Sequence, residues 1–300
     1  MYYINGSLFK SAMKILLAEY SVCAGIDALA GEGRAMLATL KRSFEAAGCT
    51  ISIPADFDRD LAEASRNCDC FLLIAPDAML EKYAAIAEKN SINLGCSPRV
   101  ARLCADKQET TEALLHNGIP APRIIHEKGV KCVVKPRYGC GAEGVFISPG
   151  PVEREGLVST EYIEGEHLSV SLVGGKTILP LTLNRQHITR TEVKDIAYLG
   201  YNGNEMPYEH PAKKEIFDVA AKAGNMLGCR GLFGIDIVYS DRPYVVDVNP
   251  RPTTSILGLV MVMEENIADL ILKARFGTLP ESVTLKGHFS FTKSDLERLS

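Results

Sequence analysis

The chain has no apolar run approaching the ~20 residues needed to cross a bilayer, and its opening residues carry no signal-peptide pattern. A soluble protein with no membrane partner is the expectation. It also lacks a basic excess: 33 lysines and arginines stand against 37 acids, interspersed along the sequence, for a net charge of −4. That balance is not the footprint of phosphate-backbone neutralisation, so nucleic acid is not an expected partner. Paired cysteines with zinc-knuckle spacing are missing too, since Cys68 and Cys70 lie only two apart and no second pair follows. The nine cysteines are scattered, odd in number and mostly set in apolar runs, which predicts reduced core thiols in an intracellular, cytoplasmic protein. Neither a Walker loop nor a dinucleotide fingerprint occurs. His187, His210 and His288 have no partner at useful spacing, and no Ser/His/Asp arrangement suggests a nucleophilic hydrolase.

What is present is a core-forming composition, 46% hydrophobic over 300 residues, enough for two or three lobes of a globular enzyme. The run MKILLAEY from Met13 reads as an opening strand, so residues 1–12 are expected to be a tag or an upstream start. A helix follows, with Met36, Leu37, Leu40 and Phe44 at helical spacing and Gly48 as its stop. Short strands at Thr50–Ile53 and Ser91–Gly95, the continuous apolar run Cys70–Ala75, and helices near Asp58–Arg66 and Asp77–Lys89 give a βαβα alternation. That pattern predicts a small doubly wound parallel sheet. Residues 97–118 read as helical, and Gly118 to Pro122 as a linker. Beyond it the style turns strand-rich, with runs at 130–135, 145–148, 157–163, 168–173 and 178–183. A helix near 212–227, a hairpin over 233–249 and one last helix over 257–276 complete the chain.

The hairpin GIDIVYSDRPYVVDVNPRP is the strongest chemical signal. A four-residue turn over Ser240, Asp241, Arg242 and Pro243 sets Tyr239 opposite Tyr244, and counting back sets Asp236 opposite Asp247. Asn249 falls two residues on, on the same face. Carboxylates at a cross-strand separation of ~5 Å repel, and a divalent cation removes the conflict. Hard oxygen donors without histidine or thiolate point to Mg²⁺ or Mn²⁺. The competing reading is a solvated hairpin with incidental acids. Lys135 ends a strand and precedes PRYGCGAEGV, whose Gly139, Gly141 and Gly144 could let backbone N–H groups fold over phosphates. Taken alone, that loop is equally a loose hairpin connection. Glu161, Tyr162 and Ile163 end a strand before a turn at Gly165, a place where backbone groups can meet a purine edge.

These pieces, in this order, resemble the ATP-grasp superfamily, in which two lobes close on ATP. By that resemblance Lys107 and Lys135 are nucleotide-binding lysines, the loop from Tyr138 to Gly144 is the phosphate-covering flap, and Glu161 to Ile163 form the adenine hinge. Glu166 and His167 compete for the ribose. Asp236, Asp247 and Asn249 become metal ligands and Arg251 the group that steadies an acyl phosphate. The implied fold is α/β (α+β): an N-terminal doubly wound lobe over 13–96, a small strand-rich lid lobe with a linker helix over 97–175, and a C-terminal catalytic lobe with a mixed sheet over 176–300. MKILLAEY, GEGRAMLATLKRSFEAAG, LTLNRQHI and NPRPTTSI further resemble the archaeal tyramine:L-glutamate ligases of methanofuran biosynthesis and related ATP-grasp proteins. That implies ATP-driven joining of a small-molecule carboxylate to an amine through an acyl phosphate.

Arg185 in LNRQ is the expected clamp on the carboxylate substrate, since a planar fork matches two oxygens; its plainer reading is a surface arginine. Thr253 and Ser255 either line the pocket or cap the last helix. Two alternatives stand beside the ligase: another ATP-grasp enzyme with different substrates, and a non-catalytic ATP sensor. A homodimer is compatible with the sequence.

Overall fold

The computed structural model describes residues 12–25, 27–139 and 141–296, preceded by two short paired strands, Tyr3–Ile4 and Ser7–Leu8. Most of the segment expected to be a tag, and Cys140 within the glycine loop, lie outside the described residues.

The N-terminal lobe follows the predicted alternation. Strands β1 (Lys14–Glu19), β2 (Thr50–Ser52), β3 (Cys70–Ile74) and β4 (Ile92–Asn93) form a parallel sheet in the order β2-β1-β3-β4. Every residue of β3 is buried, as a strand covered on both faces requires. Helices α1 (Asp27–Ala46), α2 (Phe57–Arg66) and α3 (Asp77–Ala87) flank it. Met36, Leu37, Leu40 and Phe44 all enter the core, and Gly48 ends α1 at φ 79°, a left-handed conformation that a side chain would strain.

The stretch read as one helix over 97–118 is two. Helix α4 (Pro98–Ala105) is capped by Ser97, and α5 (Lys107–His116) by Asp106, whose carboxylate accepts from the backbone N–H groups of Gln108 and Glu109. An aspartate that captures free N–H groups can restart a helix in a new direction. The last helix divides likewise into α7 (Ile256–Val262) and α8 (Ile267–Phe276), with Asn266 capping the second half.

A second sheet carries the rest. Strands β5 (Cys132–Pro136), β6 (Phe146–Ser148), β7 (Leu157–Glu161), β8 (Glu166–Gly174), β9 (Ile178–Val193), β10 (Ile196–Met206), β11 (Gly231–Tyr239) and β12 (Pro243–Asn249) run antiparallel in the order β12-β11-β8-β9-β10-β6-β5-β7. A short β13 (Phe289–Thr292) adds to β10. The β9–β10 hairpin is far longer than the expected run over 178–183, because beyond Gln186 it is largely exposed and its pattern loses the clean alternation of a half-buried strand. Helix α6 (Lys213–Leu227) packs on one face of this sheet, burying Leu168, Val170, Leu172, Leu183, Ile235, Ile237 and Val248.

Among the described residues no helix is long and apolar enough to cross a membrane. The eight described cysteines are buried and unbridged.

Candidate active site

The acid pair stands where counting placed it, by a different route. The turn is tighter than expected, so Tyr239 pairs with Pro243 and Val238 with Tyr244, and a bulge between Asp236 and Ile237 then restores Asp236 opposite Asp247. Val246 is the extra residue of that bulge. Its carbonyl accepts a hydrogen bond from Lys135 Nζ at 2.8 Å, a use for a group the ladder leaves unpaired. Lys107, at the start of α5 and 6% exposed, donates to both oxygens of Asp247 at 2.6 Å. Two lysines and two aspartates, contributed by three separate regions of the chain, therefore meet at one bulge.

Their electrostatics are asymmetric. Burial and the facing Asp247 carboxylate push the Asp236 carboxyl up to about 7, although Lys107 and hydrogen bonds from Asn249 Nδ2 at 3.3 Å and Gln186 Nε2 at 3.0 Å pull it down. Burial acts the same way on Asp247, but the ammonium groups of Lys107 and Lys135 outweigh it and hold that carboxyl below its usual range. Burial, with repulsion from Lys107, draws the Lys135 ammonium down to about 8. Asp236, Asp247 and the nearly buried Asn249 offer a hard oxygen set that suits Mg²⁺ or Mn²⁺. Among the described residues no three His, Cys, Asp and Glu side chains gather to hold a metal, so a cation here leans on the Asn249 amide and on oxygens from outside the protein.

The glycine loop follows β5, the strand that carries Lys135, and leads to β6. Gly141 and Gly144 adopt φ of 66° and 70°, which only glycine takes without strain, while Gly139 does not need that freedom. The loop's root is tethered: Arg137 bonds the buried Asp106 through Nε at 2.8 Å, and the Tyr138 hydroxyl donates to the same carboxylate at 2.8 Å. Asp106 thus caps α5, orients Lys107 beside it, and anchors the loop. At the end of β7, Glu161 forms a forked ion pair with Arg123, the Lys131 ammonium lies 3.8 Å from the centroid of the Tyr162 ring, and Ile163 is half-buried.

The faces of β8 separate the two ribose candidates. His167 alternates with Ser169, which pairs with Asp236, so it lies on the acid face. Glu166 points to the other face and accepts from the Tyr208 hydroxyl. Arg185 lies there as well: it pairs with Leu168, its Nε contacts Glu205 at 3.1 Å and its guanidinium covers the Tyr208 ring. The structure does not bring Arg185 to the acid pair; its neighbour Gln186 is the LNRQ residue that reaches Asp236.

The ATP-grasp domain family matches residues 104–255. The chain belongs to the ATP-grasp family. Over 289 residues, 86% of this chain and 93% of the relative, it is 32% identical to the tyramine–L-glutamate ligase of Methanocaldococcus fervens. A solved ATP-grasp superfamily protein from Archaeoglobus fulgidus superposes with a TM-score of 0.76 at 28% identity, covering 89% of this chain and 90% of that one. The D-alanine–D-alanine ligase from Bacillus anthracis, complexed with ATP, shares the fold at a TM-score of 0.66 and 21% identity, over 88% of this chain and 97% of that one. With a named ligase aligned along nearly its whole length, the protein is an ATP-grasp ligase.

Several residues of this ATP-grasp site carry no local sequence signal. Asp77, 2% exposed at the start of α3, accepts from Arg251 Nε at 2.8 Å, and its second carboxylate oxygen is buried without a hydrogen-bond partner. Burial pushes this carboxyl up, while Arg251 and Lys107 act against it. Ser255 sits at the start of α7 without capping it; its hydroxyl accepts from Asn204 instead. Thr253 packs where a Cβ on Gly234 would fall, 2.8 Å from its methyl, so that glycine lets the segment just after Arg251 lie close against the sheet. Asp77 and Arg251 stand 174 positions apart, and only the folded chain reveals their pairing.

Proposed function

We propose that this ATP-grasp ligase couples ATP hydrolysis to ADP and phosphate with amide formation, activating the side-chain carboxylate of glutamate as an acyl phosphate and passing it to the amine of tyramine. The observation that carries the reading is the convergence of Lys107, Lys135, Asp236, Asp247 and Asn249 at one bulge under a tethered glycine loop, with Arg251 beyond them on the same segment. The likeness to a named tyramine–L-glutamate ligase supports the choice of substrates.

Lys107 and Lys135 take the nucleotide phosphates, and the backbone of Gly139, Gly141 and Gly144 closes over them. Glu161 to Ile163 present backbone groups to the adenine, and His167, on the acid face, meets the ribose. Asp236, Asp247 and Asn249 would hold Mg²⁺, which supplies charge neutralisation for the transferring phosphoryl group. Lys107 now spans both oxygens of Asp247, so loading requires the ammonium to move to another anion, and a phosphate provides one. A substrate carboxylate attacks the γ-phosphorus, Lys135 spreads the developing charge, and Arg251 steadies the acyl phosphate with its planar fork. The amine then displaces phosphate. Arg185 keeps its ion pair with Glu205 and is not assigned to the carboxylate. The lobes at 13–96, 97–175 and 176–300 close around this centre, the strand β8 joining the lid to the C-terminal strands.

ADP release, measured with glutamate against a panel of amines, tests the proposal. Release that depends on both glutamate and tyramine supports it. ADP release with other acid and amine pairs only would move the chain to a different ligase specificity, and ATP binding without ADP release under every mixture would make it a sensor.

A further inference from the structure

Beside the acid pair, at the junction of the N-terminal lobe and the large sheet, a second group of polar side chains faces inward. Glu32 reaches from α1 to the segment after β12, where the Thr254 hydroxyl donates to its carboxylate. Tyr201 of β10 is set against the same point: burial first, then the nearby carboxylates of Glu32 and Asp236, hold its hydroxyl well above its usual range. Asn204, 1% exposed, donates its Nδ2 to Ser255 Oγ at 2.7 Å and leaves its Oδ1 buried with no hydrogen-bond partner. None of the buried ion pairs of the site, Lys107–Asp247, Arg137–Asp106 or Arg251–Asp77, includes Glu32. Lys293 lies over the face of the Tyr201 ring, 5.9 Å from its centroid.

A carboxylate and an orphaned amide oxygen, with two hydroxyls that can turn either way, form a set dominated by acceptors. Such a set is satisfied by a ligand with several N–H donors and a positive charge. A primary ammonium has three donors, whereas a second carboxylate or a phosphate would be repelled. We propose that Glu32, the Asn204 Oδ1 and the hydroxyls of Tyr201 and Thr254 form the subsite for a spectator ammonium on the carboxylate substrate, the α-ammonium of an amino-acid donor. The acceptor amine is the wrong occupant. It must be unprotonated to attack, and a facing carboxylate would hold its proton in place. Glu32 belongs to the N-terminal lobe and Asn204 to the large sheet, so a bound ammonium also ties the two together on the donor's arrival. The inference rests on the ligase reading above and adds to it the reason an amino acid is chosen over a plain diacid.

The test compares glutamate with glutarate, which has the same two carboxylates and no ammonium, as donors to tyramine in ADP release. Wild-type enzyme should show a KM for glutamate lower than that for glutarate by about 10- to 100-fold, the worth of one charge-assisted contact. Glu32→Gln keeps an oxygen for Thr254 and removes the charge. It should raise the KM for glutamate by about the same factor, leave the KM for glutarate unchanged and keep kcat within a few-fold. Displacement of a fluorescent ATP analogue, unaltered in the variant, shows that the nucleotide site is intact. Equal use of the two diacids by wild type, or equal losses toward both in Glu32→Gln, overturns the subsite while the ligase reading stands. If the variant does not fold, the wild-type ratio decides alone. No ADP release with glutamate and any amine overturns the ligase reading, and the subsite falls with it.

Discussion

The two faces of the large sheet are made from the same strands and do different work. On one, Leu168, Val170, Leu183, Ile235, Ile237 and Val248 are buried against α6. On the other, the alternate residues Ser169, Ser171, Asn184 and Asp236 are polar, and Thr182, Asn184, Ser169 and Ser171 are buried in their own hydrogen-bond network. The strand period of two lets one segment serve both ends. The apolar face supplies burial free energy and rigidity, and the polar face spends part of that stability in holding two carboxylates together and a lysine dry. The difference between the faces therefore comes from alternate residues of the same strands, apolar against α6 and polar around the acid pair.

That comparison can be broken from either side. Asp247→Ala should lower ADP release by about 1,000-fold, as expected when charge stabilisation at a phosphoryl-transfer site is removed, while circular dichroism shows an unchanged fold. Full activity in that variant would remove the acid face from the chemistry. On the opposite face, Ile235→Ala should cost about 2–4 kcal/mol in denaturant unfolding, because Ile235 is wholly buried in the core under α6, and should leave the KM for ATP within a few-fold. A large rise in that KM would show that the faces are not separable. Asp77→Asn sharpens the comparison where the N-terminal lobe meets the polar face. Losing the charge opposite Arg251 in a buried pair should cost about 3–5 kcal/mol of stability and reduce kcat more than it raises the KM for ATP. A change in KM alone would separate Arg251 from the transferred group.

The smallest effect concerns pH. Lys135 is drawn down to about 8, below the usual lysine value. Between about pH 8 and 10.5 the unfolded chain therefore binds a proton that the folded chain has released, and this group makes stability rise with pH through that window. Below about pH 8 both states hold the proton, and the full cost of burying the ammonium is borne. Lys135→Met should abolish the rise, seen as a stability difference from wild type that shrinks from pH 8 to 10.5 by about 1 kcal/mol or more. A pH-independent difference would place the ammonium in water.

Much of the site was legible because the acid hairpin is local. Asp236 and Asp247 are only eleven residues apart, and a period of two carries a count across a turn. The turn is one residue shorter than the spacing predicts, and the bulge at Val246 restores the register. The helix breaks at Asp106 and Asn266 were hidden because a capping side chain, with no glycine or proline, reorients the chain. Residue type alone makes Arg185 an attractive clamp, but its strand parity sets it on the face opposite the acid pair.

By itself the sequence determined the classes of element, the βα alternation of the first lobe, the acid pair and the lysine before the glycine loop, each from a periodicity or spacing within a short stretch of chain. The family came from a resemblance carried by several motifs in order along the chain. Tertiary structure decided which groups meet: Lys107 with Asp247, Arg251 with Asp77, and Glu32 with Thr254, the last spanning 222 residues. Those contacts join segments 140, 174 and 222 residues apart, and chain folding over such distances leaves no local pattern to read.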